Sequence, residues 1–204
     1  QENVTLTNPE AWKNLRNFMK ASWEAFAGAA YILGHQYLES DQPPYTIDKA
    51  FEIMTVIHSR DDWEEGASKR VAVTKENMEV IFAEKKKAIA QTKELYGILD
   101  IDALGAPAAF AEDMKAVIRT MVLFAQFCYV TTRAMYLTVL AEKTGELQDA
   151  EKARATVTEL LTMADSLEQE LEGTNYPYYL YSRLHPRRIR RFAADVERRV
   201  EVLL

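Results

Sequence analysis

The sequence predicts an all-α protein, an elongated antiparallel bundle of five or six helices around a long central helix at about residues 107–143. Three observations predict it. Apolar residues recur at alternating spacings of three and four over most of the 204-residue chain, no segment fits the alternation of a β-strand better, and glycine and proline number only seven and six. Few turn-forming residues imply few loops, and short connections favour antiparallel neighbours. We expect residues 1–204 to form a single helical-bundle domain, and the Gln1 start is compatible with excision from a larger protein.

The first half of the chain predicts three helices. Asn8 followed by a proline is typical of a helix start, and the periodicity predicts a helix over 9–39 that two consecutive prolines terminate. Thr46 is a good N-cap for a second helix at about 47–59, which a charged loop at 59–68 follows. A third helix is expected at about 69–98. Two glycines inside the first helix suggest that another helix approaches it closely.

The fourth helix, about 107–143, is the clearest in the chain. At about 1.5 Å per residue it would be roughly 55 Å long. A helix that is apolar over a wide arc is expected to be surrounded on several sides. Arg119, Gln126 and Arg133 interrupt its apolar run, so no membrane span is expected. Its main apolar track consists of Phe110, Met114, Val117, Met121, Phe124, Cys128, Thr131, Met135 and Thr138.

Two more helices follow. Gly145 ends the central helix, and a narrow apolar stripe predicts an outer helix at about 148–172, which Gly173 terminates. Pro186 opens a last helix at about 187–203.

A search for catalytic and metal-binding motifs finds none. The residues three positions before the histidines are Ile32, Thr55 and Ser182, so the Glu-x-x-His motif of di-iron bundles is absent, as is His-Glu-x-x-His. The single Cys128 lies on the apolar track of the central helix and is expected to be a small buried hydrophobe. We therefore expect no metal and no cofactor, and catalysis by this chain alone is the less favoured case.

The candidate binding site is a tyrosine-rich segment followed by an arginine cluster. Tyrosine rings suit stacking on sugars or on a protein surface, and arginines suit carboxylates or phosphates. The alternative is that the tyrosines close one end of the bundle and the arginines pair with its acidic helices. The residues concerned are Tyr176, Tyr178, Tyr179, Tyr181, Arg187, Arg188, Arg190 and Arg191.

The charge of the chain is unevenly distributed. The formal net charge is −6, whereas residues 183–204 contain seven arginines and three acids, a local charge of +4. The acidic body argues against a nucleic-acid binder, which usually carries a basic face. The basic last helix favours an acidic partner or an acidic neighbour within the bundle.

The stretch from about residue 107 to the end resembles a known class of module. A long aromatic helix is followed by Ala-Glu-Lys-Thr-Gly at 141–145 and Asp-Ala-Glu-Lys-Ala-Arg at 149–154, then by an outer leucine-rich helix and a basic helix after a proline turn. This pattern is similar to the all-helical modules that follow the catalytic barrel in large secreted bacterial glycoside hydrolases. The resemblance implies a non-catalytic accessory domain, secreted or periplasmic, that packs against a catalytic domain and contributes aromatic residues to a carbohydrate site.

Three hypotheses about function are open at this point. The first is that accessory domain of a carbohydrate-active enzyme, which predicts an exposed apolar patch. The second is a free-standing helical protein that binds an acidic partner through its arginine-rich last helix. The third is a small-ligand binder with a pocket inside the bundle.

Overall fold

The chain folds as an all-α bundle. The computed structural model describes residues 8–36, 46–52, 66–171 and 185–204. Five of the helices in these residues have 16 to 37 residues, and two are short. The helices are α1 (Pro9–Ala30), α2 (Ile47–Glu52), α3 (Ala67–Val71), α4 (Lys75–Ile98), α5 (Ala108–Thr144), α6 (Leu147–Leu171) and α7 (Pro186–Glu201).

Local sequence signals place several helix ends correctly. The Asn8 Oδ1 accepts a hydrogen bond from the Ala11 N–H at 3.1 Å, and the Thr46 Oγ1 accepts one from the Lys49 N–H at 3.2 Å. Both are N-caps that satisfy otherwise unpaired amides of a first helical turn. Gly145 ends α5 in the left-handed conformation, with φ 68°. The predicted terminator Gly173 and the remainder of the second predicted helix lie outside the described residues.

The first helix is shorter than predicted. It ends at Ala30, and a tight antiparallel hairpin pairs Tyr31–Ile32 with His35–Gln36. Leu33 and Gly34 both have positive φ, 49° and 82°, as both central residues of a type I′ hairpin turn require. The predicted continuous helix over 9–39 is therefore wrong at this point.

The close approach predicted from the glycines of this helix occurs at one of the two. A Cβ placed on Gly28 would lie 3.4 Å from the Ala88 Cβ of α4, so α4 packs tightly there. Gly34 instead supplies the hairpin turn, where no neighbour approaches a Cβ within 4 Å.

The third predicted helix is two helices. Residues 72–74, between α3 and α4, are not helical. There the Thr74 Oγ1 accepts a hydrogen bond from the Asn77 N–H at 3.2 Å and caps α4. A threonine that bonds the backbone in this way favours a helix start over a helix interior. The Tyr136 hydroxyl of α5 donates to the Val71 carbonyl at 2.8 Å and fixes the end of α3.

The central position predicted for α5 is confirmed. Helices α1, α4, α6 and α7 all pack against it, and its face toward them is buried, with Cys128, Ala134, Met135 and Tyr136 wholly inaccessible to solvent. Helices α4 and α6 flank α5 on two sides, while α1 lies over α4 and α5 and α7 lies over α6 and α5.

Helix α5 nevertheless meets the criterion of length and mean hydropathy for crossing a membrane, the one helix to do so among the described residues. The three interrupting polar residues do not keep the helix below this criterion, and the expectation of no membrane span stays a prediction. Its packing accounts for the composition, because a helix that neighbours cover on several sides is apolar over a wide arc.

Candidate protein-binding groove

An open groove runs along α5 between α4 and α6. It consists of two adjoining cavities of about 600 and 520 Å³, both open to solvent, which share Lys93, Leu123 and Ser166. The first cavity is also lined by Tyr96, Arg119, Val122 and Gln169, and the second by Ile89, Gln126, Tyr129, Val130, Thr158, Glu159, Thr162 and Met163.

The floor of the groove is one face of α5, which lines the two cavities from Arg119 to Val130 and continues one turn beyond them to Arg133. Arg119, Val122, Gln126, Tyr129 and Arg133 follow one another at spacings of three and four, and all five are half-buried. The stripe covers fourteen residue steps, or about 21 Å at 1.5 Å per residue. In the described part of the chain no helix lies across this stripe, unlike the opposite face of α5, so its apolar side chains are only partly covered.

Cationic side chains surround the centre of the floor. The Lys86 ammonium lies 5.9 Å from the centre of the Tyr129 ring, and the Arg133 guanidinium lies 5.3 Å from it. Arg133 also donates to both carboxylate oxygens of Glu159 at 2.9 Å. Both distances are within about 6 Å, the range in which the ring quadrupole attracts a cation.

The two edges of the groove differ in charge. On α4, Lys86 and Lys93 lie two helical turns apart, and within the described residues no carboxylate pairs with the Lys93 ammonium. On α6 the edge carries Met163 and several uncharged polar residues, and the Ser166 hydroxyl donates to the Thr162 carbonyl at 3.0 Å. Arg133 pairs with Glu159, the one carboxylate among the described lining residues. The described cations that line the cavities are Lys93 and Arg119, while Lys86 and Arg133 lie beside the Tyr129 ring.

Part of the predicted arginine cluster is used inside the bundle. The Arg190 Nη2 donates to Asp165 at 2.7 Å and to Glu168 at 2.6 Å, which ties α7 to α6. These hydrogen bonds, the one to Glu168 first, raise the pKa of Arg190. The sequence left open the alternative that these arginines pair with acidic helices of the bundle. For Arg190 the structure confirms that alternative.

The other predicted binding residues are not brought into a described site. Arg187 and Arg191 are exposed on α7, and Arg188 is half-buried. The four tyrosines, Tyr176, Tyr178, Tyr179 and Tyr181, lie outside the described residues, so their role stays a prediction.

The most unusual buried group is Lys85 of α4, which is inaccessible to solvent. Its ammonium donates to the Gly28 carbonyl at 2.9 Å, to the Tyr31 carbonyl and to the Glu84 carboxylate at 3.2 Å. Burial lowers the pKa of Lys85, and Glu84 opposes that shift. A neutral amine has only two N–H donors, whereas three acceptors surround this nitrogen, so the geometry favours the ammonium.

A shifted pKa in a buried lysine is often the mark of an active site. Here Lys85 lines neither cavity of the groove, and its donors are taken by two carbonyls at the end of α1 and by Glu84. Positive charge is favourable at a helix C-terminus. We therefore assign Lys85 to holding the junction between α1 and the hairpin.

Cys128 behaves as the sequence predicts. It is fully buried in α5, and burial raises the pKa of its thiol to about 12. At neutral pH the group is a thiol, which is a small apolar side chain rather than a nucleophile.

No group of three or more metal-ligating side chains occurs among the described residues. A comparison of the chain with known protein families, with curated proteins and with solved structures finds no match. The groove is therefore assessed on its own chemistry.

Sequence reasoning missed the groove, although its signal is present. Arg119, Gln126 and Arg133 repeat at intervals of seven, as do Lys86 and Lys93. Seven residues are close to two helical turns, so each set shares one helix face. A polar set repeating on one face of an otherwise apolar helix indicates a side that the bundle does not cover.

Proposed function

We propose that the chain is a helical interaction domain that binds a segment of another protein, or of a neighbouring domain, in the groove on α5. The observation that carries the proposal is a face of α5 across which no described helix lies, with Val122, Leu123 and Tyr129 half-buried between α4 and α6. Covering such side chains is favourable by about 25 cal/mol per Å² of apolar area. An open groove in which apolar side chains lie beside polar and charged groups is a typical protein-binding surface.

This proposal retains parts of the sequence hypotheses. Under the accessory-domain hypothesis, the groove is where a catalytic domain would dock, and the carbohydrate-active and secreted context remains a prediction. The acidic partner of the second hypothesis is retained, but at the groove rather than at α7. Arg190 and Arg199 of α7 already pair with acids of this chain, Arg199 with Glu142 and Asp48 at 2.7 Å.

A groove-filling variant tests the proposal. Ser166 lies where the two cavities meet and its side chain is half-exposed, so Ser166→Trp fills the groove without entering the core. The matched control is Ser22→Trp on α1, whose hydroxyl likewise bonds a carbonyl of the preceding turn, Met19, at 2.8 Å. The probe is a display library of helical peptides selected on the unmodified protein.

We expect the selected peptides to lose at least tenfold in affinity for the Ser166→Trp protein and to keep their affinity for Ser22→Trp. Circular dichroism and thermal unfolding check that both variants fold. Selected peptides that bind the Ser166→Trp protein as tightly as the unmodified protein would overturn the proposal, as would a selection that enriches no helical binder.

A further inference from the structure

Resting on the proposed function, we infer that the occupant of the groove is an acidic amphipathic helix of about four turns, lying along α5 with its acidic flank against α4. Three features of the groove support this inference: its length and spacing, its position relative to the other helices, and the difference in charge between its two edges.

The floor has the spacing of a helix–helix seam. The half-buried stripe from Arg119 to Arg133 alternates three and four residues, as do Phe82, Lys86, Ile89, Lys93 and Tyr96 along the adjacent edge of α4. Such stripes accept a partner helix whose side chains insert between theirs. The floor of about 21 Å corresponds to a partner of about fifteen residues.

The position of the groove repeats a pattern already present in the bundle. Helix α1 lies over α4 and α5, and helix α7 lies over α5 and α6. A helix in the groove would cover α4, α5 and α6 from the other side in the same manner. The two cavities follow one another along α5, one beside Val122 and the other beside Tyr129, so a helix lying parallel to α5 can contact both.

Charge determines the chemistry of the partner. Lys86 and Lys93 lie seven residues apart on the α4 edge, about 10 Å along the helix axis. Acidic residues seven apart on one flank of the partner would meet them in turn. Among the described residues that line the groove from α6, the one carboxylate is Glu159, which Arg133 already binds, so that flank of the partner needs polar uncharged or small residues.

The same arrangement favours a helix over an anionic lipid. The middle of the floor carries the polar Gln126, and the α6 edge carries Thr158, Thr162, Ser166 and Gln169 beside Glu159 and the apolar Met163. An acyl chain would leave these polar groups without hydrogen-bonding partners, whereas a polar flank of a helix supplies partners to them.

The experiment uses a helical-peptide library in which the two flanks are encoded equally for glutamate, glutamine and lysine. We expect the peptides selected on the unmodified protein to carry glutamate on one flank, at two positions seven apart, and no excess of charge on the other. Replacing these two glutamates by glutamine should weaken binding about two- to thirtyfold, since each exposed ion pair contributes about 0.2–1 kcal/mol.

A charge-reversed protein completes the test. In the Lys86→Glu, Lys93→Glu double variant, the glutamate peptide should bind at least tenfold more weakly, and its lysine counterpart should bind more tightly than it does to the unmodified protein. The matched control reverses two exposed lysines away from the groove, Lys13→Glu and Lys20→Glu on α1.

The outcomes separate the two proposals. Peptides that lose binding with Ser166→Trp but show no excess of glutamate, or no response to the reversed lysines, overturn this inference and leave the interaction domain standing. Binding that survives Ser166→Trp overturns both. Self-association at 100 μM that Ser166→Trp abolishes, measured by light scattering, would make a second copy the occupant. Groove-dependent binding to phosphatidylserine vesicles would make it a lipid, and either result also overturns the acidic helix.

Discussion

Replacing Lys85 by methionine tests how this bundle holds its first helix. The substitution keeps the length and apolar stem of the side chain, and it removes three hydrogen bonds: to the Gly28 carbonyl, the Tyr31 carbonyl and the Glu84 carboxylate. Both carbonyls lie at the C-terminal end of α1, where the backbone has no further helical partners.

Two opposing effects decide the magnitude. Removing the ammonium relieves its desolvation, which costs several kcal/mol in a protein interior. It also removes the hydrogen bonds from a charged group to the Gly28 and Tyr31 carbonyls, which contribute about 1.5–3 kcal/mol each, and it leaves Glu84 without its counter-charge. Removing one partner of a buried pair costs about 3–5 kcal/mol. Because the Glu84 side chain is 25% exposed and can be hydrated, we expect the low end, a loss of about 3 kcal/mol in the free energy of unfolding.

Urea unfolding followed by circular dichroism at pH 7 measures this loss. The matched control is Glu84→Gln, whose amide oxygen can still accept from the Leu33 N–H, a bond of 3.1 Å in the native protein. It should cost about 1 kcal/mol. A Lys85→Met protein within 0.5 kcal/mol of the unmodified chain would refute the reasoning, because it would show that the buried ammonium gives no net stabilisation.

Two further predictions concern pH. Burial raises the pKa of Cys128 from 9.0 to about 12, so the native state keeps the thiol proton that the unfolded chain loses, and the unfolding free energy should fall as pH rises from 9 toward 12. Cys128→Ala should flatten that alkaline decline in urea titrations at pH 8 and 10.5; an equal decline in both proteins would contradict the assignment. His185 accepts from the Arg187 N–H at 3.2 Å as the cap of α7, and burial, with Arg188 and Arg187, lowers its pKa below 6.5. The native protein favours the neutral ring of His185, so the free energy of unfolding should fall as pH drops below about 6.5. The His185→Asn variant keeps a capping side chain and should remove that dependence between pH 7.5 and 5. Unchanged acid sensitivity in His185→Asn would exclude this histidine as the cause.

Sequence signals place the features that depend on a few neighbouring residues. Asn8, Thr46 and Gly145 specify helix ends through bonds within four residues, and the structure has those ends there. The hairpin after α1 depends on partners far along the chain, since Glu84 accepts from the Leu33 N–H and Lys85 binds the Tyr31 carbonyl. A helical pattern continuing past Ala30 cannot reveal such contacts, and this is why the predicted helix ran too long.

The groove is missed for a related reason. The spacing of its polar residues is present in the sequence, but which face of α5 stays uncovered depends on where α1, α4, α6 and α7 pack. The net charge of −6 is a sum over the whole chain, so it does not reveal the positive charge of the groove. The arginines of α7 form the strongest local cluster of positive charge in the sequence. Two of them, Arg190 and Arg199, form ion pairs within the bundle.

The line of Arg119, Gln126 and Arg133 on α5 connects the fold to the proposed function. A long core helix loses stability when it buries polar groups without partners, so a polar residue at every second turn would weaken a fully enclosed helix. Here the three residues lie on the face that the bundle leaves half-open, and Arg133 reaches Glu159 and the Tyr129 ring. These three side chains therefore have two effects. They make the half-open face of α5 polar, and they supply the hydrogen-bonding and charged groups that a partner helix would need. If solubility alone had selected them, acidic side chains would serve as well, in keeping with the acidic body. Arg133 is paired with Glu159, so it is Lys86 and Lys93 on the α4 edge, in a chain of net negative charge, that favour an acidic partner.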